Sequence, residues 1–428
     1  MRKRVALVTH EMSLVGGLPT MIKFLYRTLL DSGRYQPEVI SLATSVADKA
    51  SVQITAPGTW KSGAKIEKLP WHDLIFTHVG VSGSELEFQR YRPRPMLTEV
   101  FRQYDLLQFV VGSPPWVCTA LTADRPIFLW TATTTRADRE SQAKDGSFAR
   151  RAWSSLMIPL AERYEKRGLL AAQQVFTLSE YTRETVASIC SPQKVTLAPC
   201  GIDTDLFRPE PEPAGDYVVC VARFSDPRKN VRLLLDAFAM LRKKSDDLPD
   251  LCLIGDPPSD ESQQYLQSLG LAGKVRLIGP KAGEDLAALF RNALFFVLSS
   301  NEEGLGIVIL EAMASGLPVV STACGGPATA ISEGETGFLT PVGDVAALAA
   351  AMEKLLVNPA LRTRMGQAGR RIATERFSIA AAGKVFLDKY DELFISMESG
   401  VVNTQSGIDH TGRQPAADFR VEAPTSRL

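Results

Sequence analysis

The sequence predicts an α/β protein built from two doubly wound parallel-sheet domains. Three observations support this: the chain length, alternating strand and helix patterns, and a proline-rich segment near the middle. At 428 residues the chain is longer than one hydrophobic core usually serves. Its composition, 45% hydrophobic and 22% charged, is typical of globular proteins and unlike that of disordered or membrane-embedded chains.

The residues predict a first domain at 1–200 and, after the second domain, a final helix at 376–396. It opens with a buried strand at Val5–Thr9, a loop with Gly16 and Gly17, and a helix that begins near Leu18. Further apolar runs alternate with helical patterns such as 161–172, as βαβ units do. These runs are Leu106–Val111, Ile127–Trp130 and Val175–Leu178. After Ser378, a plausible N-cap, apolar residues at helical spacing predict the final helix.

The second domain is predicted at 201–375. Prolines cluster at 208–216, which is typical of an extended linker. A second series of strands with helical patterns between them follows, at Tyr217–Ala222, Leu251–Ile254, Val275–Ile278, Ala293–Leu298 and Pro318–Ser321. From residue 397 the chain is polar and aperiodic, and 397–428 is predicted to be a disordered tail.

Charge and cysteine content exclude several classes of protein. The six cysteines form no C-x-x-C pair, so neither a zinc site nor a disulfide framework is expected. Positive and negative residues balance at 48 each, and no nucleic-acid partner is expected. The start resembles no signal peptide and no stretch approaches twenty apolar residues, which predicts a cytoplasmic protein.

Basic residues are more frequent in the first 200 positions than later. They include Arg90, Arg92 and Arg94, and a pair that precedes Trp153–Leu160, Arg150 and Arg151. They are either ordinary solvated charge or a surface for an anionic acceptor or a membrane face.

The most informative stretch is 299–318, where an apolar strand leads into a glycine-bearing loop that opens a helix. The backbone N–H groups of Gly306, Ile307 and Val308 would point outward from the helix start and form a seat for a diphosphate. Glu303 and Glu311 would flank it, and their carboxylates suit sugar hydroxyls. The alternative is a plain turn with two solvated glutamates.

A strand at 218–222 ends at a second set of charged residues, Arg223 and Lys229. Positive charge there would meet the negative charge that builds on a diphosphate leaving group, and the alternative is surface charge. A weaker signal is Gly325–Gly326, a second glycine-rich turn. Gly16 and Gly17 could approach the sugar phosphate from the first domain. His10 is a tempting base, although a lone histidine there is more often structural.

These residues resemble the retaining glycosyltransferases of family 4, which have the GT-B fold of two facing Rossmann-like domains. The likeness covers residues 1 to about 394, weakly at 40–150 and strongly at about 195–356. It rests on Pro199-Cys200-Gly201-Ile202-Asp203 with Phe207, on Arg223 with Lys229, and on the spacing of Glu303 and Glu311.

The resemblance implies a sugar transfer from a nucleotide-diphosphate sugar to a hydroxyl acceptor, with retained anomeric configuration and without a metal or other cofactor. It implies that Arg223 and Lys229 contact the diphosphate, Glu303 the donor sugar and Glu311 the ribose. Gly16 and Gly17 would lie against the donor phosphate, and the last helix would cross back to the first domain. The acceptor could be a glycan, a lipid-linked or a small molecule.

Two positions depart from the family pattern. Thr131–Thr135 stand where many members have a histidine, and Thr329 where many have a glutamate, so a threonine hydroxyl could replace the histidine. Two alternative functions are a non-catalytic nucleotide-sugar-binding subunit and a GT-B epimerase. The first-domain loops carry few histidines and carboxylates, which argues against the epimerase.

Overall fold

The computed structural model describes residues 2–10, 12, 16–71, 74–137, 148–210 and 216–399, with the helical backbone alone for 148–156. The chain divides after Leu387 into two compact units, and both β-sheets lie in the first. Part of the predicted linker, 211–215, and most of the predicted tail, 400–428, lie outside the described residues.

Eight strands form the first sheet in the described part of the chain. They are β1 (Lys3–Thr9), β2 (Tyr35–Leu42), β3 (Ile66–Trp71), β4 (Leu74–Val79), β5 (Leu106–Val111), β6 (Ile127–Thr131), β7 (Gln174–Thr177) and β8 (Val195–Leu197). The order is β3-β4-β2-β1-β5-β6-β7-β8. Neighbouring strands are parallel, except that β3 pairs antiparallel with β4 at one edge.

The described residues form six strands in the second sheet. They are β9 (Tyr217–Val221), β10 (Asp250–Ile254), β11 (Val275–Ile278), β12 (Ala293–Leu298), β13 (Val319–Thr322) and β14 (Gly337–Thr340). The order is β11-β10-β9-β12-β13-β14, and all neighbours are parallel. The two sheets confirm the predicted fold class.

Helices connect the strands. They are α1 (Gly17–Asp31), α2 (Glu87–Arg90), α3 (Pro95–Phe101), α4 (Phe148–Ala171), α5 (Glu180–Ala187), α6 (Val231–Arg242), α7 (Asp260–Ser268), α8 (Gly283–Arg291), α9 (Ile307–Ala314), α10 (Val345–Leu356), α11 (Pro359–Phe377) and α12 (Ile379–Glu398). Several begin at side-chain caps: Asn230 accepts from the Leu233 N–H at the start of α6, and Asp344 from the Ala347 N–H at the start of α10.

Each sheet packs its own apolar core. The first core includes Val8, Phe109 and Leu129 from strands β1, β5 and β6, all fully buried. The second includes Leu234 and Phe238 of α6, packed with strand residues such as Leu253 of β10. The continuous apolar runs that identify these strands in the sequence are therefore the buried centres of the two sheets.

Most predicted elements are present with small boundary changes. Leu178 and Ala222 fall just outside β7 and β9, β13 starts at Val319, and α4 begins well before residue 161. The sequence interpretation lacks β2, β3, β4, β8 and β14, and it did not anticipate an antiparallel edge. Side chains of β3 are exposed or half-buried up to Trp71, so this strand lacks the apolar signal of a central one.

The chain crosses between the sheets at two segments that are bonded to each other. The Ile202 N–H donates to the Phe377 carbonyl at 2.8 Å, and the Ile379 N–H to the Ile202 carbonyl at 3.1 Å. Phe386, in the first part of α12, packs against Trp130 and Phe176 of the first sheet, with both centroid distances at 4.6 Å. The last helix therefore begins at this crossing and returns to the first sheet.

Candidate active site

The two charged motifs meet at the carboxyl edge of the second sheet. β9 lies between β10 and β12, so the strand order reverses there, and ligands of open α/β sheets bind at such points. The loop after β9 and the loop after β12 are joined directly. The Asn301 N–H donates to the Arg228 carbonyl at 2.7 Å, and the Ser299 hydroxyl to the Lys229 carbonyl at 3.0 Å.

Lys229 and Glu303 form an ion pair at this point. The Lys229 Nζ lies 2.6 Å from the Glu303 Oε1, and the two side chains are only 17% and 11% exposed. The Ser300 hydroxyl donates to the same oxygen at 2.7 Å. No described residue donates a hydrogen bond to the Glu303 Oε2. One oxygen of Glu303 is therefore engaged by protein groups and the other is available to a ligand.

Lys229 is oriented by a tight turn. Residues Pro227–Lys229 form one turn of 3₁₀ helix, and Asn230 follows with φ 43° before α6 begins. The Asn230 side-chain amide also donates to the Asn301 side-chain oxygen at 2.9 Å, which links the turn again to the loop after β12. This double attachment fixes where the lysine stands.

Arg223 is placed differently. Its side chain is 55% exposed and lies 3.7 Å from the Asp226 carboxylate, which itself binds Arg228 at 2.8 Å. Arg223 can therefore swing toward a ligand at little cost, since an exposed ion pair of this length contributes little.

The helix start predicted as a diphosphate seat has a glycine N-cap and no side-chain cap. Gly306 has φ 78°, in the left-handed region that favours glycine, and no side chain caps the helix that begins at Ile307. The first N–H groups of a helix have no acceptor within it. Gly306, Ile307 and Val308 are all partly exposed, so these donors suit an anion.

The Gly325–Gly326 turn holds the Glu303 loop. The Glu303 N–H donates to the Cys324 carbonyl at 3.3 Å, and the Gly326 N–H to the Glu303 carbonyl at 3.0 Å. A Cβ on Gly326 would lie 2.5 Å from the Gly304 carbonyl carbon. The turn therefore supports the carboxylate loop through its backbone, a role that the sequence interpretation missed.

Glu311 lies in the second turn of α9. The residue is partly exposed, and burial raises the pKa of its carboxyl to about 8. Burial, and to a lesser extent the Glu311 carboxylate, also raises the pKa of the Cys200 thiol. Glu311 therefore lies beside the segment that joins the two sheets.

The described contacts do not bring Gly16 or Gly17 against Lys229 or Glu303. Gly16 has φ 138° and precedes α1, and Gly17 is exposed with no atom within 4 Å of a Cβ placed on it. Residues 13–15 of this loop lie outside the described part. The predicted approach to the donor phosphate stays a prediction.

The loop after β6 reaches the loop after β12. The Thr133 hydroxyl donates to the Glu302 Oε1 at 3.4 Å, and a Cβ on Gly304 would lie 2.9 Å from the Ala132 carbonyl oxygen. A threonine hydroxyl thus stands at the cleft, in the segment where the resemblance expects a histidine. Thr131 instead bonds the Gly112 and Thr133 carbonyls.

Thr329 makes a second contact across the cleft. Its hydroxyl oxygen accepts a hydrogen bond from the Glu180 N–H at 3.0 Å, at the first residue of α5. No sequence signal pointed to this contact, because its partners are 149 residues apart. The departure from the family glutamate at Thr329 therefore coincides with a bond between the two halves.

His10 has a structural environment. Its Nε2 accepts from the Gly112 N–H at 3.1 Å, its ring stacks on Trp116 at 4.9 Å, and burial lowers its pKa to about 4. A ring nitrogen that accepts a hydrogen bond is unprotonated, so this histidine is neutral. His10 therefore links the end of β1 to the end of β5 through the Gly112 N–H.

The three described arginines of the predicted basic region, Arg90, Arg92 and Arg94, lie in different environments. Arg90 donates to the Ser84 carbonyl at 2.7 Å, and the guanidinium nitrogens of Arg94 are buried, which leaves Arg92 exposed. The side chains of Arg150, Arg151 and Trp153 lie outside the described residues.

Of the described helices, none has the length and apolar character of a membrane span. The described residues include no group of three or more His, Cys, Asp or Glu placed to hold a metal ion.

Comparison with known proteins identifies the family of the segment that contains the second sheet. The family profile described as Glycosyl transferases group 1 matches residues 203–372, which contain both charged loops. The chain carries a group 1 glycosyltransferase domain. The group 1 glycosyltransferase family that the motifs indicate is thereby confirmed for this segment, and Arg223, Lys229, Glu303 and Glu311 all lie inside it.

Relatives of the glycosyltransferase domain include mycobacterial enzymes. The chain is 34% identical over 251 residues to the GDP-mannose-dependent alpha-(1-6)-phosphatidylinositol monomannoside mannosyltransferase of Mycolicibacterium smegmatis, covering 54% of this chain and 65% of that protein. It is 31% identical over 230 residues to the MMP alpha-(1->4)-mannosyltransferase of Mycolicibacterium hassiacum, covering 51% and 56%. The matches span less than two thirds of these relatives.

The whole fold resembles solved glycosyltransferases. Sucrose-phosphate synthase from Thermosynechococcus elongatus superposes with a TM-score of 0.70 at 22% identity, over 92% of this chain and 100% of that one. At this identity the likeness shows the fold alone. The glycosyltransferase domain therefore belongs to a GT-B architecture whose other half is the first sheet.

Proposed function

We propose that this protein is a retaining glycosyltransferase that moves a sugar from a nucleotide-diphosphate sugar to a hydroxyl acceptor without a metal. The observation that carries the proposal is the Lys229–Glu303 pair, 2.6 Å apart at the point where the strand order of the second sheet reverses. A cation and a carboxylate in one partly enclosed site suit the two ends of such a donor, its diphosphate and its sugar.

Positive charge at this edge would stabilise the leaving group. As the bond between the anomeric carbon and the diphosphate breaks, negative charge develops on the phosphate oxygens. Lys229 would exchange its bond to Glu303 for one to these oxygens, and the exposed Arg223 would fold onto them. The N–H groups at the start of α9 add donors that are fixed before the reaction.

Glu303 would position the sugar. When Lys229 turns to the phosphate, Oε1 keeps the hydrogen bond from the Ser300 hydroxyl, and Oε2 can accept a hydrogen bond from a donor-sugar hydroxyl. Glu311, on the face of α9 toward the connecting segment, would accept hydrogen bonds from the ribose. These roles follow the resemblance residue by residue.

Retention follows if acceptor and leaving group share one face of the sugar. The acceptor oxygen would bond to the anomeric carbon on the face that the diphosphate leaves, and the acceptor proton would pass to the departing phosphate oxygen. In this route no protein side chain acts as a nucleophile. The contribution of the protein is position and charge.

The names of the relatives supply a first choice of donor. Two are mannosyltransferases, and one is named for its dependence on GDP-mannose. We therefore propose a hexose donor, with GDP-mannose to be tested first, and a glycan, lipid-linked or small-molecule hydroxyl as acceptor. Cytoplasmic location and peripheral membrane contact stay predictions.

One observation favours a second candidate, a subunit that binds a nucleotide sugar without turnover. The family histidine is replaced by threonine, and Thr133 already bonds Glu302. Such a protein would bind donors yet neither hydrolyse nor transfer them.

The test is a thermal-shift panel of GDP, UDP, ADP and dTDP with their sugars. A ligand that binds only the folded state raises the melting temperature. At a free ligand concentration of a hundred times its dissociation constant, it raises the free energy of unfolding by about 2.7 kcal/mol. We expect a shift with one nucleotide, reduced in Glu311→Ala. Lys243→Ala, an exposed lysine in the same domain, serves as control.

Transfer or slow hydrolysis of the donor that binds would then separate the two candidates. Binding without product would support the non-catalytic subunit. A panel without any shift would overturn both.

A further inference from the structure

In the first half of the chain, Arg94 is a buried cation for which the described residues provide no hydrogen-bond acceptor. Its Nε, Nη1 and Nη2 are all buried, and no described residue accepts a hydrogen bond from any of them. A guanidinium carries five N–H donors and stays charged, so a buried one without an acceptor is destabilising. Burial lowers the pKa of Arg94 to about 10, and no neighbouring carboxylate acts against this shift. The protein therefore maintains an uncompensated charge here.

The topology places Arg94 at the carboxyl edge of the first sheet. Arg94 directly precedes α3, whose far end leads to the start of β5. At that end the Arg102 carbonyl accepts from the Arg125 side chain at 2.8 Å, just before β6 begins. α3 is about 10 Å long, because each of its seven residues adds about 1.5 Å. Arg94, before its first residue, therefore lies about 10 Å from the end that leads to β5, toward the carboxyl edge of the sheet.

Aromatic contacts connect this segment to the ends of β1 and β5. Tyr91, three residues before Arg94, packs edge-on to Trp116 with centroids 5.0 Å apart. Trp116 stacks on His10 at 4.9 Å, and His10 bonds the Gly112 N–H. His10 and Gly112 immediately follow the two strands at which the order of the first sheet reverses. The Arg94 segment is thus built into the ligand-binding edge.

The neighbouring Arg90 and Arg92 differ from Arg94 in their burial and hydrogen-bond partners. Arg90 donates twice to the Ser84 carbonyl, at 3.0 and 2.7 Å, and so holds the backbone. Arg92 is exposed. Of these three arginines, Arg94 alone combines burial with an absence of acceptors among the described residues.

We propose that Arg94 binds a phosphate group of the acceptor, so that this enzyme glycosylates a phosphorylated or phospholipid molecule. The planar fork of a guanidinium matches two phosphate oxygens, and such charge-assisted pairs are among the stronger hydrogen bonds of proteins. The inference rests on the proposed transferase function, since it specifies that reaction's acceptor. The nitrogens are covered in this conformation, so the phosphate reaches them only when the edge opens.

The experiment compares Arg94→Met with the exposed neighbour variant Arg92→Met in thermal melts. Without ligand, Arg94→Met should melt no lower than the parent protein, since it removes an unpaired buried charge. Inorganic phosphate should raise the melting temperature of the parent and of Arg92→Met. Arg94→Met should need at least about tenfold more phosphate for the same shift. An equal phosphate response in Arg94→Met would overturn the proposal.

The source of the phosphate is distinguished by two further probes. Glycerol phosphate tests a soluble monoester, and flotation on vesicles that contain phosphatidylinositol tests a lipid headgroup. A response that depends on Arg94 in either arm supports the proposal and names the source. If neither probe nor inorganic phosphate depends on Arg94, the residue is structural and the proposal is wrong.

Two checks keep these outcomes separable from those of the donor site. Arg94→Lys keeps the charge but loses the fork, and it provides a folded variant with weakened phosphate binding if Arg94→Met does not fold. The nucleotide that shifts the parent protein should still shift Arg94→Met. Loss of the nucleotide shift in every variant and in the parent would contradict the transferase proposal, whatever the phosphate result.

Discussion

The carboxyl edges of the two sheets differ in whether their cations are paired. At the second sheet, Lys229 is neutralised by Glu303 at 2.6 Å, and Arg223 is more than half exposed. At the first sheet, Arg94 is buried without an acceptor among the described residues, and His10 is neutral. A paired cation exchanges one partner for another when an anion arrives, whereas an unpaired buried one gains a partner outright. In the proposed function the edge of the first sheet is the acceptor edge, and that of the second sheet is the donor edge. The charges of the donor edge are paired before a ligand binds, and Arg94 at the acceptor edge is not paired with any described residue.

The largest effect is expected for Lys229→Ala. Loss of one preorganised donor to a developing anion lowers turnover by roughly 10² to 10³. The variant should keep its fold, since Glu303 retains the Ser300 hydroxyl. Turnover with the donor found in the panel is the measurement, and Lys243→Ala should remain at the parent rate. A rate for Lys229→Ala within threefold of the parent would remove Lys229 from the mechanism.

A smaller, pH-dependent effect is expected for Glu311→Gln. Because burial raises the pKa of Glu311 to about 8, the folded carboxyl resists ionisation while the unfolded one ionises near 4.5. The parent protein therefore loses stability from this group as pH rises from 4.5 through 8. The melting temperature of Glu311→Gln minus that of the parent should grow over this range. Glu375→Gln, at an exposed glutamate, is the control, and a flat difference for Glu311→Gln would contradict the burial of this carboxyl.

The smallest effect, with the opposite pH dependence, is expected at the acceptor edge. Burial lowers the pKa of His10 to about 4, so its contribution is complete above 6.5 and is lost as pH falls toward 4. His10→Gln keeps an acceptor for the Gly112 N–H and cannot be protonated. The melting temperature of His10→Gln minus that of the parent should be larger at pH 5 than at pH 7. The same difference at both values would mean that His10 does not titrate with folding.

The sequence predicted the donor edge better than the acceptor edge for a physical reason. Arg223, Lys229, Glu303 and Glu311 carry charge next to glycine-bearing turns at strand ends, and such patterns are local. The central strands are likewise local signals, since they are short continuous apolar runs. The half-exposed β3 lacks that pattern.

Contacts across the cleft could not be predicted in this way. Thr329 and Glu180 meet only because two separate sheets place them together, and neither residue type marks the contact. The sequence around Gly326 predicts only an ordinary turn, and the close packing of its backbone against Gly304 is evident only in the structure. The burial of Arg94 is also invisible in a segment where three arginines alternate, because alternation suggests an exposed strand or loop.

The two crossings between the sheets have a mechanical consequence. Because Ile202 bonds both Phe377 and Ile379, the outgoing and returning segments form a short double-stranded hinge. A Cβ on Gly201 would lie 2.4 Å from the ring of Phe24, so this hinge is also packed tightly against α1. Any rotation of one half must twist both segments together. The axis of such a rotation is thus confined to these few residues.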